Sequence, residues 1–559
     1  MNAKSRVNPW FFFLAAALLV VLQVVPRMIW DSPTNDEPME ISNGYYYWKG
    51  DVHTHNRHPP VSEALQALPS LCMGFNPQAD PSWDGMERSF YFFSIAAGEQ
   101  RDRLLFSARL MTLCLALVLG FLLFIVSRRM RPSSVPWVMA FWAFEPNLLA
   151  FSGYAMSDLP LALFIFAAVI VFRRSQNSQV SWLPIVTGAL TGVASCTKFS
   201  GLVLIPVFLL LDVWGFFTSG VKSWLARCLK HWCMGALGFV AVLELVYLPG
   251  WWNRPGGHPW DSFHYFYLGF QDMANYSHAH HPTYFWGVAS RQNHWLYFPA
   301  AFILKTTIPC LLLMLLGGWL WKKRAIRIPA WLWIPPVGIF ASILPVQNLG
   351  LRYLLPVYPF LLIGIGLVAS RLWATAGPFK RSTRWAIGGV LAWHILSVVF
   401  SFPFYTSYFN DLVPQGKKNF YLGDSNLDIG QDLRRLAEKS KREGWPPLRL
   451  ATSIGVDPAI YGMPWDWWTE KDLAAPQPGR VYAMNVSFLQ LTPVFHPETI
   501  AIAQSWVTRV PPTYRIGDTW WIWVIPGREE EDNSRLLMSA PGLYRYWKLR
   551  PLSWPGPKR

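Results

Sequence analysis

The sequence predicts a polytopic α-helical membrane protein, with about eleven transmembrane helices and a mixed α/β domain at its C-terminus. Three observations predict it. The 559-residue chain is 52% hydrophobic and only 15% charged, where soluble globular proteins carry about 25% charge. Apolar runs near the roughly 20 residues that cross a bilayer recur as far as residue 402. Basic residues cluster in alternate short loops between those runs, as the positive-inside rule requires. Together these exclude a disordered, fibrous or ordinary cytosolic protein. A net charge of +16 would point a soluble chain toward nucleic acid. Here the excess belongs to the loops, so the expected partner is the lipid bilayer and no nucleic acid.

The elements follow in order. Residues 1–6 are basic and residues 9–29 apolar. No small-x-small cleavage site follows and further spans come after, so this segment reads as an uncleaved first span rather than a signal peptide. A polar loop occupies 31–103. Apolar segments are then centred near 104–126, 135–150, 159–172, 183–196, 201–217, 232–250, 296–321, 330–346, 353–370 and 385–402. Lys4 and Arg6 begin one series of loops, continued by Arg128, Arg129 and Arg131, by Arg173 and Arg174, and by Lys222, Arg227 and Lys230. Lys322, Lys323, Arg324 and Arg327 extend it, and Arg371, Lys380, Arg381 and Arg384 close it. Short loops of the opposite register hold only Lys198 and Arg352. The alternation expects a cytoplasmic N-terminus in a bacterial inner membrane and an extracytoplasmic segment from about 404 onward. It defines a transmembrane domain over 1–403, with outer loops 31–103 and 251–295, and an outer domain over 404–559.

In that outer domain, residues 424–444 read as an amphipathic helix, with Leu427, Leu433, Leu436 and Ala437 among charged neighbours. Strand-like runs follow at 448–453, 480–486 and 519–525 between Pro- and Gly-rich turns. The six cysteines form no Cys-x-x-Cys pair, which leaves neither a disulfide frame nor a thiolate metal site.

The chemistry-bearing residues gather on the outer side. Asp36 and Glu37 follow the first span directly. Asp158 opens the fourth span, either as a helix cap or as a second working carboxylate. Lys198 and Arg352 break the positive-inside rule at matching depth: they either snorkel to outer headgroups or hold an anion such as a lipid phosphate. Tyr353 adjoins Arg352. The loop Asp51-Val52-His53-Thr54-His55-Asn56-Arg57-His58 offers His55, Arg57 and His58 as polar substrate contacts. Its spaced histidines leave a divalent cation as an open alternative, although no cofactor or metal is demanded. His281 and Tyr284, in the 251–295 loop, are aromatic and imidazole groups for an interfacial belt or a sugar platform.

Five motifs in order carry a resemblance. They are Asp36-Glu37-Pro38, His58-Pro59-Pro60, Ser157-Asp158-Leu159-Pro160-Leu161, Thr197-Lys198-Phe199-Ser200 and Arg352-Tyr353-Leu354-Leu355-Pro356. The chain resembles the bacterial relatives of dolichyl-phosphate-mannose–protein mannosyltransferases, of glycosyltransferase family 39 type, and is similar to the aminoarabinose transferases. The stretch from Tyr408 to Leu433 looks like that group's junction into its C-terminal domain, with Ile429 where relatives often show Trp. The resemblance implies a GT-C type membrane glycosyltransferase. Such an enzyme moves a sugar from a polyprenyl-phosphate carrier to an acceptor hydroxyl on a protein, lipid or glycan, at the outer membrane face and with inversion. It implies Asp36 as general base, Glu37 as its neighbour, Asp158 as the second acidic residue, and Lys198 and Arg352 facing the carrier phosphate. A flippase of lipid-linked sugars and a non-catalytic envelope assembly subunit are the rival expectations.

Overall fold

The computed structural model describes residues 8–51, 58–74, 77, 85–217, 221–252, 255–278, 281–374, 380–452, 455–495 and 505–527. Helices occupy all eleven of the apolar segments read from the sequence. Among the described residues, five helices are long and apolar enough to cross a membrane: Pro9–Trp30, Gly98–Met130, Phe199–Phe216, Cys228–Trp252 and Leu351–Trp373. The pair Tyr297–Lys305 and Ile308–Lys322 passes the same test only when taken together, and is bent by 111° at its break. The chain is a multi-pass membrane protein. Two segments expected as single spans are broken. The one at 135–150 divides into Val135–Ala143 and Pro146–Ser152. There Glu145 turns extended and its carboxylate accepts the Leu148 N–H at 2.6 Å, capping a new helix with Pro146 in its first turn. Pro309 likewise starts the helix after the 111° break.

Small residues let the spans approach closely. A Cβ placed on Gly188 would lie 1.7 Å from the Gly235 carbonyl oxygen, so the helices Leu183–Thr197 and Val221–Trp252 cross backbone to backbone. Close backbone contact of this kind replaces hydrophobic collapse as the packing force between helices in lipid.

The loop at 31–103 is folded rather than open. It contains the helices Glu37–Trp48 and Val61–Ala67, followed by short helical turns leading into Arg101–Met130. The C-terminal region forms a five-stranded sheet from β3 (Leu448–Ala451), β4 (Trp465–Trp467), β5 (Val481–Asn485), β6 (Tyr514–Ile516) and β7 (Trp520–Val524). Their order is β4-β3-β5-β7-β6, with β3 parallel to both neighbours and β7 antiparallel to both of its own. The strands β4 and β6 are additions to those read from the sequence; each is three residues long, too short to show alternation.

The helix expected over 424–444 is shorter, Leu433–Glu443. Before it, side chains compete for the backbone: Asp428 Oδ1 accepts the Gly430 N–H at 2.9 Å and Gln431 Oε1 accepts the Ile429 N–H at 2.8 Å. Such local bonds displace the helical ladder, and residues 424–432 become a buried strap. One apolar cluster joins the 31–103 loop to the C-terminal region. Ile41, Tyr45, Phe92 and Leu104 pack with Leu433, Leu436, Leu450 and Trp520.

Candidate functional site

Asp36 stands at the N-cap of the helix Glu37–Trp48, yet its side chain makes no capping bond. It is engaged by Arg352, whose Nη1 lies 2.5 Å from Asp36 Oδ2. Arg352 sits on the short 3₁₀ helix Leu351–Val357, entered through Gly350 at φ +122°. A Cβ there would fall 2.0 Å from Ser425 Oγ, so glycine is required by both backbone and space. The same Arg352 Nη1 is 3.9 Å from Asp158 Oδ2. Asp158, first residue of the helix Asp158–Gln176, receives Lys198 Nζ on Oδ1 at 2.6 Å. Lys198 is held in extended backbone after the helix Leu183–Thr197, and its ammonium lies 4.5 Å from the centre of the Tyr353 ring. Residues from four distant stretches thus form an alternating row: Asp36, Arg352, Asp158, Lys198.

Polar atoms without partners converge on this row. Among the described residues, Glu40 Oε2, His58 Nδ1, Asp158 Oδ2 and Arg352 Nε are buried and have no hydrogen-bond partner. Buried polar atoms are paired in the great majority of cases, so four orphans around one row leave hydrogen-bonding capacity unspent there. Burial, aided by Lys198, pushes the His58 ring down to about 3, so it is neutral at physiological pH. Burial, reinforced by the Asp36 carboxylate, pushes Glu40 up to about 8 against the pull of Lys198 and Arg352. Asp424, at φ +53° on the strap, is pushed up to about 6 by burial and faces Arg352.

Glu37 occupies a different environment from its neighbour. It is fully buried, and Arg109 grips it with two bonds, Nε to Oε1 at 2.8 Å and Nη2 to Oε2 at 2.7 Å. It also accepts the Thr34 and Ala155 N–H groups, both at 2.8 Å. Arg109 in turn donates to the carbonyls of Met28, Asp31 and Ser32. Each Glu37 carboxylate oxygen thus accepts two hydrogen bonds, within the turn that presents Asp36.

Of the residues singled out from the sequence, the structure brings together Asp36, His58, Asp158, Lys198, Arg352 and Tyr353. Tyr284 lies on β1 (Thr283–Phe285), which pairs with β2 (Val288–Ser290), and its Cβ abuts Gly423, just before the strap. His281 packs on the Tyr276 ring at 5.0 Å. His53, His55 and Arg57 lie outside the described residues. No group of three or more His, Cys, Asp or Glu side chains suited to a metal ion occurs among the described residues. Sequence reasoning missed Glu40 and Asp424. Glu40 had a signal, since it falls one helical turn after Asp36 and so on the same face.

The fold and the charged row define a class: a multi-pass membrane protein with a carboxylate and cation centre where several helices begin and end. The family model of dolichyl-phosphate-mannose-protein mannosyltransferase matches residues 9–249, a stretch that holds Asp36, Asp158 and Lys198, and the resemblance read from the motifs stands. Among solved structures, ArnT from Cupriavidus metallidurans in the apo state is 15% identical, with a TM-score of 0.46 over 92% of this chain and 97% of that one. The same protein bound to undecaprenyl phosphate gives 15% identity and a TM-score of 0.45, over 92% of this chain and 98% of that one. The Saccharomyces cerevisiae protein O-mannosyltransferase Pmt1-Pmt2 complex bound to the sugar donor gives 19% identity and a TM-score of 0.32, over 48% of this chain and 35% of that one. No curated protein matches at a significant level.

Proposed function

We propose that the chain is a membrane glycosyltransferase that takes a sugar from a polyprenyl-phosphate carrier and passes it to an acceptor hydroxyl outside the membrane. The observation that carries this reading is the cluster of unpartnered polar atoms around Arg352 and Asp158, within a row that supplies both fixed cations and a base. The match of residues 9–249 to the mannosyltransferase family supports it.

The chemistry assigns one task to each residue. The acceptor oxygen attacks the sugar C1 from the side opposite the phosphate, forming the new glycosidic bond with inversion. The C1–O bond to phosphate breaks and its electron pair leaves with the carrier. The hydroxyl proton passes to Asp36, because a hydroxyl is too weak an acid to ionise unaided. Lys198 and Arg352 stabilise the charge that grows on the departing phosphate, so a separate general acid is unnecessary. Asp158 fixes both cations. Asp36 is bound to Arg352 before substrate arrives; a phosphate that takes the Arg352 guanidinium frees that carboxylate, so donor binding prepares the base.

In the same reading the cationic loops face the cytoplasm and the C-terminal sheet lies outside. Purified protein in nanodiscs, supplied with radiolabelled polyprenyl-phosphate sugars and candidate acceptors, tests the proposal. Label appearing on an acceptor supports it; translocation without transfer, or neither, overturns it in favour of a flippase or an assembly subunit.

A further inference from the structure

Glu40 has no role in the row just described, yet it is 4% exposed and its Oε2 has no partner among the described residues. Its position is fixed. Glu40 N donates to Asp36 O at 3.0 Å in the first turn of the helix Glu37–Trp48, which places both side chains on one helix edge. The groups that face it are Asp36 and Asp158 on one side of the charge balance, Lys198 and Arg352 on the other. His58, neutral through burial, and Asp424 border the same cluster. Two cations are already matched by two carboxylates through ion pairs. A third carboxylate, charged and without a hydrogen bond, would carry the full cost of burying an unpaired ion.

We propose that Glu40 is a further donor-binding residue, held as a neutral carboxylic acid whose proton is donated to an oxygen of the carrier phosphate. This rests on the reading of the centre as a polyprenyl-phosphate site. In the acid form the orphaned oxygen carries an O–H, and the phosphate supplies the partner it lacks, an anionic phosphate being a strong acceptor. No bond is made or broken at Glu40; it contributes orientation and affinity. Ionised, the same side chain would set a negative charge against the phosphate, so the site would lose its ligand as pH rises. The burial that pushes Glu40 up to about 8 places that loss just above neutrality.

Two measurements test it, on the full chain in nanodiscs. The first is binding of undecaprenyl phosphate, followed by tryptophan fluorescence at pH values on both sides of about 8, for wild type, Glu40→Gln and Arg352→Gln. The wild type should bind roughly tenfold or more weaker on the alkaline side, as expected for losing a charge-assisted hydrogen bond. Glu40→Gln, with an amide as a weaker donor, should bind a few-fold more weakly than wild type at acidic pH and lose that alkaline fall. Titration of the lipid itself is common to all three proteins and cancels. An identical alkaline fall in Glu40→Gln overturns the proposal while leaving the phosphate site intact. No wild-type binding at any pH, or binding that Arg352→Gln leaves unchanged, overturns the underlying reading instead. The second measurement needs neither ligand nor a folded variant. Infrared titration of the wild type should show a protonated-carboxyl carbonyl band that disappears above about pH 8, and a band already absent at neutral pH overturns the neutral-acid assignment.

Discussion

Arg435 Nη2 and Asp31 Oδ1 lie 2.6 Å apart, although 404 residues separate them. Asp31 also takes Arg27 at 3.1 Å and the Tyr154 hydroxyl at 2.8 Å, so one carboxylate joins the helix Pro9–Trp30, the turn before the helix Asp158–Gln176 and the C-terminal region. Around this pair the strap is stitched to the turn that leads to Asp36. Ser32 N donates to Gln431 O at 2.9 Å, Asn35 N to Ile429 O at 2.7 Å, and the Leu433 N–H to Ser32 Oγ at 2.8 Å. Asp432 continues the chain of contacts to Thr519 at 2.7 Å, at the foot of β7. The sheet therefore reaches the Asp36 turn through two layers of hydrogen bonds, and the C-terminal region is a brace for the site.

Arg435→Gln should loosen that brace. Removing a hydrogen bond to a charged group costs about 1.5–3 kcal/mol, and Asp31 keeps Arg27 and Tyr154 as partners. Thermal unfolding in detergent should register the loss, and kcat should fall more than donor KM changes. A double-mutant cycle with Asp31→Asn should show a coupling energy clear of zero. Additive effects would mean that the pair is not joined in solution.

Asp36→Asn should reduce kcat by roughly 100- to 10,000-fold, the range for losing a general base, with donor binding kept or tightened because the phosphate no longer competes with Asp36 for Arg352. Single-turnover assays on monodisperse protein check it. Near-normal transfer by that variant would move the base to another carboxylate of the row.

Arg352→Gln should weaken donor use by about 1.5–3 kcal/mol, read as the change in kcat/KM. Donor kinetics that stay constant in a folded variant would return Arg352 to a headgroup-snorkelling role.

Glu37→Gln should act on stability first. Breaking a buried ion pair leaves Arg109 uncompensated, at a cost of about 3–5 kcal/mol, and the yield of folded protein should fall accordingly. The molecules that do fold should retain most of their turnover. Loss of turnover at full thermal stability would instead give Glu37 a direct part in the chemistry.

Orientation is open to cysteine labelling in intact cells. Lys230 and Lys441 are both exposed side chains. Cysteine at 230 should resist a membrane-impermeant reagent and cysteine at 441 should react. Reaction of both from the same side would overturn the assignment of the cationic loops to the cytoplasm.

What the sequence by itself determined was the class of the protein and the individual candidates. Apolar runs and alternating cationic loops are sums over single residues of their cost in lipid, so they need no neighbours to be read. Asp36, Asp158, Lys198 and Arg352 were each visible as charges standing at span ends, two of them against the charge rule. The tertiary structure decided which of them meet and which neighbours are excluded. Asp36 and Glu37 are adjacent in the chain, yet consecutive residues entering a helix point in different directions, so one faces Arg352 and the other is spent on Arg109. Glu40 enters the centre because one helical turn returns it to the Asp36 side, but its burial comes from elements far away in sequence. The strap at 424–432 was read as helix because its apolar spacing is helical; its own Asp428 and Gln431 side chains, together with the turn at Ser32 and Asn35, take the backbone groups that a helix would have used. Pairing and burial depend on contacts between distant segments, and for that reason only the folded chain shows them.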